Sequence, residues 1–391
     1  MRILNLSLDR EIIEKGSAVR QRLILLAEKV GEIVVFVPGE RDEKEEVSTH
    51  LTVYSFAGPR VAQLWKMWKK GKEPLSGSSS FPKGGGEFSS RRILNPSSDS
   101  EVGVLPLGKG ELRVFELITV QDPHFLGLFG VLLAKKYRVP LEVQVHGFEK
   151  SSGLRKRLAR FVLERADTVR AVSNRLKEHL HSIFHIPYSI LYTLPVYAQT
   201  APPQKVIKRK TVPYPFTFLT VGRLVPVKNI DLQIRAFARL VKEVPHIRLR
   251  IVGEGPLADS LKSKVESLTL EKSIIFEGYR RDLRRYYEEA DAFLLTSDCE
   301  GWGRVVLEAA AYRLPIIMTD VGLAREVIKN EESGFIIPVG DERELMLAMK
   351  ELLDKPQLRE RLGEGAFRAF KALPSREAYI EKQVEEWRSL I

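Results

Sequence analysis

The sequence predicts an α/β protein built from two doubly wound domains that face each other across a cleft. Three observations predict it. Short β-branched runs alternate with amphipathic helical patterns along most of the chain. Its 391 residues exceed what one core of roughly 250–300 residues usually holds. The alternation also restarts, more regularly, after a proline-rich break. Strands alternating with helices build a parallel sheet covered on both faces.

In chain order, RILNLS (Arg2–Ser7) reads as a strand, Ala18–Val30 as a helix and Ile33–Pro38 as a second strand. Val114–Val120 then leads into a helical pattern over Phe125–Arg138, the strand Leu141–Gly147, another helix and the strand Thr168–Ser173. These make a first domain over 1–195. Its pattern breaks at Gly71–Gly110, where eight Gly and nine Ser stand among forty residues. Such composition buries too little apolar surface to offset ordering, so 71–110 is expected to be a mobile excursion. Five prolines between Pro195 and Pro215 predict a connector over 196–215. From Phe216 the alternation runs through FTFLTVG, Ile230–Val244, IRLRIVG, IIFEG, AFLLTS, PIIMTDVG and GFIIPV, a second domain over 216–373. Two such domains place their strand carboxyl ends along one cleft, where open α/β sheets bind ligands.

Composition narrows the class. Hydrophobic residues at 44% and charged residues at 29% describe a soluble globular chain. Cys299 is the only cysteine, which excludes a disulfide framework and points to a reducing, cytoplasmic setting. The N-terminal apolar run is too short for a signal peptide, and Phe125–Ala134 is too short to span a bilayer. The net charge of +11 calls for an anionic partner: nucleic acid, lipid headgroups or phosphorylated substrates. From Lys135 to Lys177 there are twelve Lys/Arg against four Asp/Glu, many in GLRKRLARFVLER (Gly153–Arg165). That segment places Leu154, Leu158, Phe161 and Val162 on one helical face; a solvated helix, a membrane-surface helix at the inner face of the cell membrane and a nucleic-acid face all fit. Trp65 and Trp68 in LWKMWKKGK read equally as an interfacial anchor or as inward-packed residues.

Two motifs carry chemistry. In VGRLVPVKN, Arg223 and Lys228 follow a strand end, where two cations suit a departing diphosphate; two plain surface cations are the bland alternative. In CEGWGRVVLE, Glu300 precedes a helix start and Glu308 lies about one turn inside it, with Gly303 between. Unpaired amides and the helix dipole make such a start a phosphate site. A carboxylate pair is also the signature of glycoside hydrolysis, but that reaction needs no phosphate cradle. VGEGP lacks the third glycine of a dinucleotide fingerprint. HSIFH holds two histidines without a zinc-protease glutamate, and no Asp-x-Asp pair stands near a strand end. No metal and no separate cofactor are therefore expected.

Arg223 with Lys228, GEGP, the two glutamates with seven residues between them followed by Ala-Ala, and LPIIMTDVG together resemble family 4 retaining glycosyltransferases of the GT-B fold, with two Rossmann-like domains. The likeness covers nearly all of Phe216–Leu373 in order and thins to the Gly16 turn, QDPHFLGLFGVLLA and VQVHGFE in the first domain. The resemblance implies a UDP- or GDP-linked sugar donor and a saccharide or lipid-linked saccharide acceptor, with no nucleic acid. It implies that Arg223 and Lys228 hold the diphosphate, that Glu308 takes the ribose hydroxyls and that Glu300 takes those of the transferred sugar. The amides of Gly303 and Arg304 would support phosphate and sugar, and His146 would line the reaction side. Gly16 would approach the diphosphate, Tyr279 would sit by the base, and 374–391 would return as a helix to the first domain. KGSAV departs from the paired glycines usual at the first loop, and Leu323 stands where a second glycine is common. A basic nucleic-acid binder would explain the charge but not the glutamates; a GT-B epimerase or phosphorylase would need an acid/base set or cofactor lysine that is not marked here.

Overall fold

The computed structural model describes residues 1–71, 115–147, 153–197 and 215–391. The Gly/Ser-rich stretch, save Gly71, lies outside these residues, as does most of the expected connector.

The first sheet is assembled from β1 (Arg2–Leu6), α1 (Ala18–Val30), β2 (Glu32–Pro38), β3 (Glu43–Ser48), β4 (Leu51–Phe56), α2 (Arg60–Gly71) and β5 (Leu117–Val120). It continues through α3 (Phe125–Tyr137), β6 (Leu141–Val145), α4 (Gly153–Leu163), β7 (Thr168–Ala171), α5 (Asn174–Phe184) and β8 (Leu191–Thr193). The strand order is β3-β4-β2-β1-β5-β6-β7-β8, and every neighbouring pair is parallel except β3 with β4. The sequence reading has no counterpart for β3. Its residues, EKEEVS, form a charged and largely exposed edge strand that lacks the apolar run of a core strand. The charge that hides it from pattern reading also discourages another chain from pairing there.

The second sheet is built from β9 (Phe216–Val221), α6 (Ile230–Glu243), β10 (Ile247–Val252), α7 (Ala258–Ser267), β11 (Ile274–Gly278), α8 (Arg284–Glu289) and β12 (Ala292–Leu295). After these come α9 (Arg304–Ala311), β13 (Ile316–Thr319), β14 (Phe335–Ile337), α10 (Glu342–Asp354), α11 (Pro356–Lys371) and α12 (Arg376–Arg388). The order β11-β10-β9-β12-β13-β14 is wholly parallel. Chain direction across each sheet reverses once, between β1 and β5 and between β9 and β12. The loops leaving those strands diverge and open a crevice at each switch point.

The last helix, α12, packs on the first domain. Tyr379, Ile380, Val384 and Trp387 join a core with Leu23, Leu26 and Val30 of α1 and with Ile33 and Val35 of β2. Strand β6 alternates apolar and polar residues, as a half-exposed strand would, yet Glu142 and Gln144 are buried beneath α12. A buried carboxylate is costly unless its lone pairs are filled. Here Glu142 accepts from Thr119 Oγ1 (2.5 Å), Gln144 Nε2 (2.7 Å), Trp387 Nε1 (3.0 Å), Gln383 Nε2 (3.2 Å) and the Tyr192 hydroxyl. Arg170 donates to Gln383 Oε1 (2.9 Å) and to the Tyr379 hydroxyl (2.5 Å), tying the same helix to β7.

The two domains also meet directly. Glu326 accepts the backbone N–H groups of Asn174 and Arg175 (3.1 and 3.0 Å), so a second-domain carboxylate caps the N-terminus of α5. The Arg175 guanidinium lies 2.5 Å from Asp320 Oδ1. Replacing Trp387 with Ala should cost about 3–5 kcal/mol, because it empties a fully packed site and removes one donor from Glu142. Urea unfolding of the variant measures this loss; an unchanged midpoint would contradict the role given to α12.

Candidate active site

The site forms where the β9 and β12 loops leave the second sheet. After β9 the chain makes a 3-10 turn at Pro226–Lys228, and Asn229 adopts the left-handed region at φ 46° before α6 starts. Asn tolerates that region better than most side chains, and here its Nδ2 donates to Asp298 Oδ1 at 2.9 Å. The Asp298 amide donates to the Val227 carbonyl (2.8 Å), and Thr296 Oγ1 donates to the carbonyls of Lys228 (3.2 Å) and Asn229 (3.0 Å). These bonds lock the two loops together and so fix the starting points of their side chains.

Lys228 Nζ donates to Glu300 Oε1 in a close ion pair, and both side chains are largely shielded from solvent. The sequence reading gives these residues separate ligands; the fold joins them. Ser297 Oγ, fully buried, donates to the same carboxylate oxygen at 2.7 Å, and Thr319 Oγ1 holds the Ser297 carbonyl at 2.7 Å. Arg223 is exposed on the β9 loop, and its side chain has no partner among the described residues. An unpaired cation thus stands on the same loop as a paired one.

Gly303, at φ 100°, turns the chain into α9 and leaves the helix without a side-chain cap. The Val306 amide donates to the Gly303 carbonyl at 3.0 Å, which leaves the amides of Arg304 and Val305 without an intrahelical acceptor. Arg304 is exposed beside them. One turn further, Glu308 Oε2 accepts from the Tyr287 hydroxyl at 2.8 Å, and Arg304 lies 4.0 Å from Oε1. Burial raises the Glu308 pKa above its ordinary 4.5, opposed by the Tyr287 hydrogen bond and the Arg304 charge.

His146 ends β6 on the other side of the cleft. A Cβ at Gly301 would lie 1.9 Å from the His146 carbonyl oxygen, so only glycine permits this contact between the two backbones. His146 is thereby set next to the Glu300 loop. Desolvation, followed by the charges of Arg170 and Arg22, lowers its pKa from 6.5 to about 3. The residue is solvent-exposed, and solvent moderates the shift; the direction still leaves the imidazole neutral near neutral pH.

Gly16 and Tyr279 stand further out. Gly16, at φ 81°, lies in the loop after β1, just before Ser17 caps α1 by accepting from the Arg20 amide at 3.1 Å. Tyr279 is exposed after β11, its amide donating to Glu254 Oε1 at 3.1 Å. Glu14 of the first loop is 3.9 Å from Arg281 near Tyr279, so these two loops face each other. Among the described residues, no hydrogen bond or ion pair joins Gly16 or Tyr279 to the Lys228–Glu300 pair.

Sequence reasoning missed Ser297 and Tyr287. Ser297 carried one usable signal, a hydroxyl three residues before a strand-end glutamate; Tyr287 comes from a different helix and carried none. The histidine cluster has structural contacts: His181 Nδ1 pairs with the Ile186 carbonyl at 2.9 Å, and His185 ends α5 in the left-handed region. No group of three His, Cys, Asp or Glu that could hold a metal occurs among the described residues.

Comparison with known proteins agrees with this architecture. Residues 204–369 match the model of glycosyl transferases group 1, and residues 109–195 match that of glycosyltransferase family 4. The chain belongs to these glycosyltransferases of the GT-B fold. An uncharacterised glycosyltransferase of Haemophilus influenzae is 30% identical over 176 residues, which span 45% of this chain and 48% of that protein. The Campylobacter jejuni N-acetylgalactosamine-N,N'-diacetylbacillosaminyl-diphospho-undecaprenol 4-alpha-N-acetylgalactosaminyltransferase is 33% identical over 143 residues, 36% of this chain and 38% of that protein. The chain thus matches about half or less of the length of these relatives. HepE of Anabaena, solved with UDP-glucose, superposes over the whole of both chains with a TM-score of 0.73 and 17% identity, a likeness of fold.

Removing the Ser297 hydroxyl (Ser297→Ala) frees one oxygen of Glu300 from its orienting bond. A hydrogen bond to a charged group contributes about 1.5–3 kcal/mol, so kcat should fall roughly tenfold or more while affinity for the free nucleoside diphosphate holds. Steady-state kinetics beside calorimetry separate the two, and parallel losses in both would refute an orienting role.

Proposed function

We propose that the protein transfers a hexose-type sugar from a nucleoside-diphosphate donor to an acceptor hydroxyl with retention at the anomeric carbon, in the assembly of a polysaccharide or glycolipid. One observation carries the proposal: at the β9–β12 switch point, a shielded Lys228–Glu300 pair stands on loops that also present the unpaired Arg223 and the open start of α9. Two cations and a helix N-terminus supply the positive charge that a departing diphosphate needs, without a divalent cation in the reading. Retention rests on the likeness of the motifs to retaining family 4 enzymes.

In this mechanism the diphosphate draws Lys228 away from Glu300. Lys228 and Arg223 then hold the phosphates, and the released Glu300 carboxylate accepts hydroxyls of the sugar. Glu308 accepts from the ribose, oriented by Tyr287, while the amides of Gly303 and Arg304 support the phosphates. The bond from the anomeric carbon to the leaving phosphate oxygen breaks. An acceptor hydroxyl attacks from the same face, and a phosphate oxygen takes its proton. Neutral His146 lines this side without adding charge against the developing cation. The substrate class draws on the relatives: the Campylobacter protein is named for a diphospho-undecaprenol-linked acceptor and HepE was solved with UDP-glucose. UDP-linked hexoses are therefore the first donors to test.

The deciding experiment is a donor screen with purified protein, reading nucleoside diphosphate release together with the anomeric configuration of the product. An inverted product would overturn retention, and turnover of no nucleotide sugar would overturn the proposal. Arg223→Ala and Lys228→Ala should each lower kcat/KM by about 10²–10³-fold with the fold intact; near-normal turnover in either would refute the phosphate assignment. Glu308 must be ionised to accept from ribose, and its raised pKa means that the carboxylate protonates at higher pH than an ordinary glutamate. Nucleotide affinity should therefore weaken as pH falls from neutral towards that pKa. Calorimetry of Glu308→Gln should show weaker binding that no longer varies over this range.

A further inference from the structure

We propose that the face of the first domain formed by α2, α3 and α4 docks on an anionic lipid surface. The three helices are neighbours on one side of the sheet. Trp68 of α2 stacks on Phe129 of α3 at 6.0 Å, and Val162 of α4 closes on α3 at Gly127, where a Cβ would come within 2.6 Å. Together they carry ten Lys/Arg and no Asp or Glu. On the opposite side of the sheet, α1 and α12 together carry six Lys/Arg against five glutamates. The excess of positive charge is therefore concentrated on one side of this domain.

Exposed apolar side chains lie among these cations. Leu154 is 75% exposed and Trp65 58%, with Phe125, Leu132 and Phe161 also open to solvent. The apolar face read from the sequence of α4 is split by the fold. Ala159, Val162 and Leu163 turn into the core, leaving Leu154 and Phe161 outside. The tryptophans of α2 divide likewise, since Trp68 is partly buried against the core and Trp65 is not. Lys69 lies 5.6 Å from the Trp65 ring, and Arg165 3.7 Å from that of Phe161. Arg155, Lys156 and Arg157 are exposed and have no carboxylate partner among the described residues. Aromatic and aliphatic groups alternating with cations suit the boundary between headgroups and acyl chains. Nucleic acid would use the cations but has no use for an exposed leucine beside them, so a lipid surface is favoured.

The described helices contain no candidate membrane span, and this surface needs none: the protein would lie on the bilayer rather than cross it. Strand β6 ends beside His146 and the chain re-enters helix at Gly153, so the docking face adjoins the acceptor side of the cleft. A lipid-borne acceptor would reach the site from that side. The docking itself does not depend on the transfer chemistry.

Flotation of the full chain with phosphatidylcholine vesicles, with and without phosphatidylglycerol, tests the proposal. Wild-type protein should float only with the anionic vesicles, and raised salt should release it. Each cation near such a surface contributes about 1 kcal/mol, or roughly fivefold in partition. The triple variant Arg155→Gln, Lys156→Gln, Arg157→Gln should therefore lose on the order of a hundredfold. Trp65→Ser with Leu154→Ser should weaken binding at low salt, where the wild-type protein floats. All five residues are exposed, and thermal unfolding matching wild type confirms that the variants fold. Equal partition of wild type and the triple variant, or no anionic preference, would overturn the proposal. Binding to duplex DNA in place of vesicles would assign the face to nucleic acid.

Discussion

The approach of two backbones at Gly301 and His146 sets the geometry on which the rest of the site depends. A methyl group at Gly301 would overlap the His146 carbonyl, so the missing side chain determines how near the second domain comes to the first. That contact places a strand-end histidine of one domain beside a strand-end carboxylate of the other. The Arg175–Asp320 pair and the Glu326 cap on α5 hold the same approach elsewhere along the interface. The β6 and β12 strand ends then face one another rather than opening on separate surfaces.

Within that cleft, opposite charges are paired away from solvent. A lysine and a carboxylate shielded from water attract each other strongly, and neither could stay there alone without a desolvation penalty. Lys228 and Glu300 satisfy each other before any ligand arrives. A diphosphate offers the ammonium more negative charge than one carboxylate does, while sugar hydroxyls can replace the lysine at Glu300. In the proposed reaction the pair would act as a placeholder, keeping both groups oriented until the donor takes over both. Ser297 bonds the same carboxylate, and the Asn229–Asp298 and Thr296 bonds tie the two loops together.

Much of the fold was legible because parallel strands buried on both faces read as apolar runs and their crossover helices read as amphipathic ones. That logic located β1, β2, β9, β10 and β12, and it placed Arg223, Lys228 and Glu300 at strand ends. It failed where burial and polarity part company. Strand β3 is charged because it is an edge. Glu142 is polar yet buried because α12, more than two hundred residues away in sequence, donates two of its hydrogen bonds, and Gln144 is buried beside it, bonded to Thr119, Glu142 and Arg170. Tyr287 reaches Glu308 from a separate helix, and spacing along the chain carries no trace of that contact.

The sequence by itself determined the class of fold, the two-domain layout, the order of the motifs and the residue types gathered at the cleft. These follow from local periodicity and from loops that must leave the carboxyl ends of parallel strands. Only the tertiary structure decided which of those residues pair, which carboxyl is pushed towards protonation and which helix faces look outward. Those outcomes turn on distance and solvent exclusion between segments far apart in the chain, and both exist only once the sheets are packed. For Glu300, the chain supplied a carboxylate before a helix. The fold gave it Lys228, Ser297 and a histidine across the cleft.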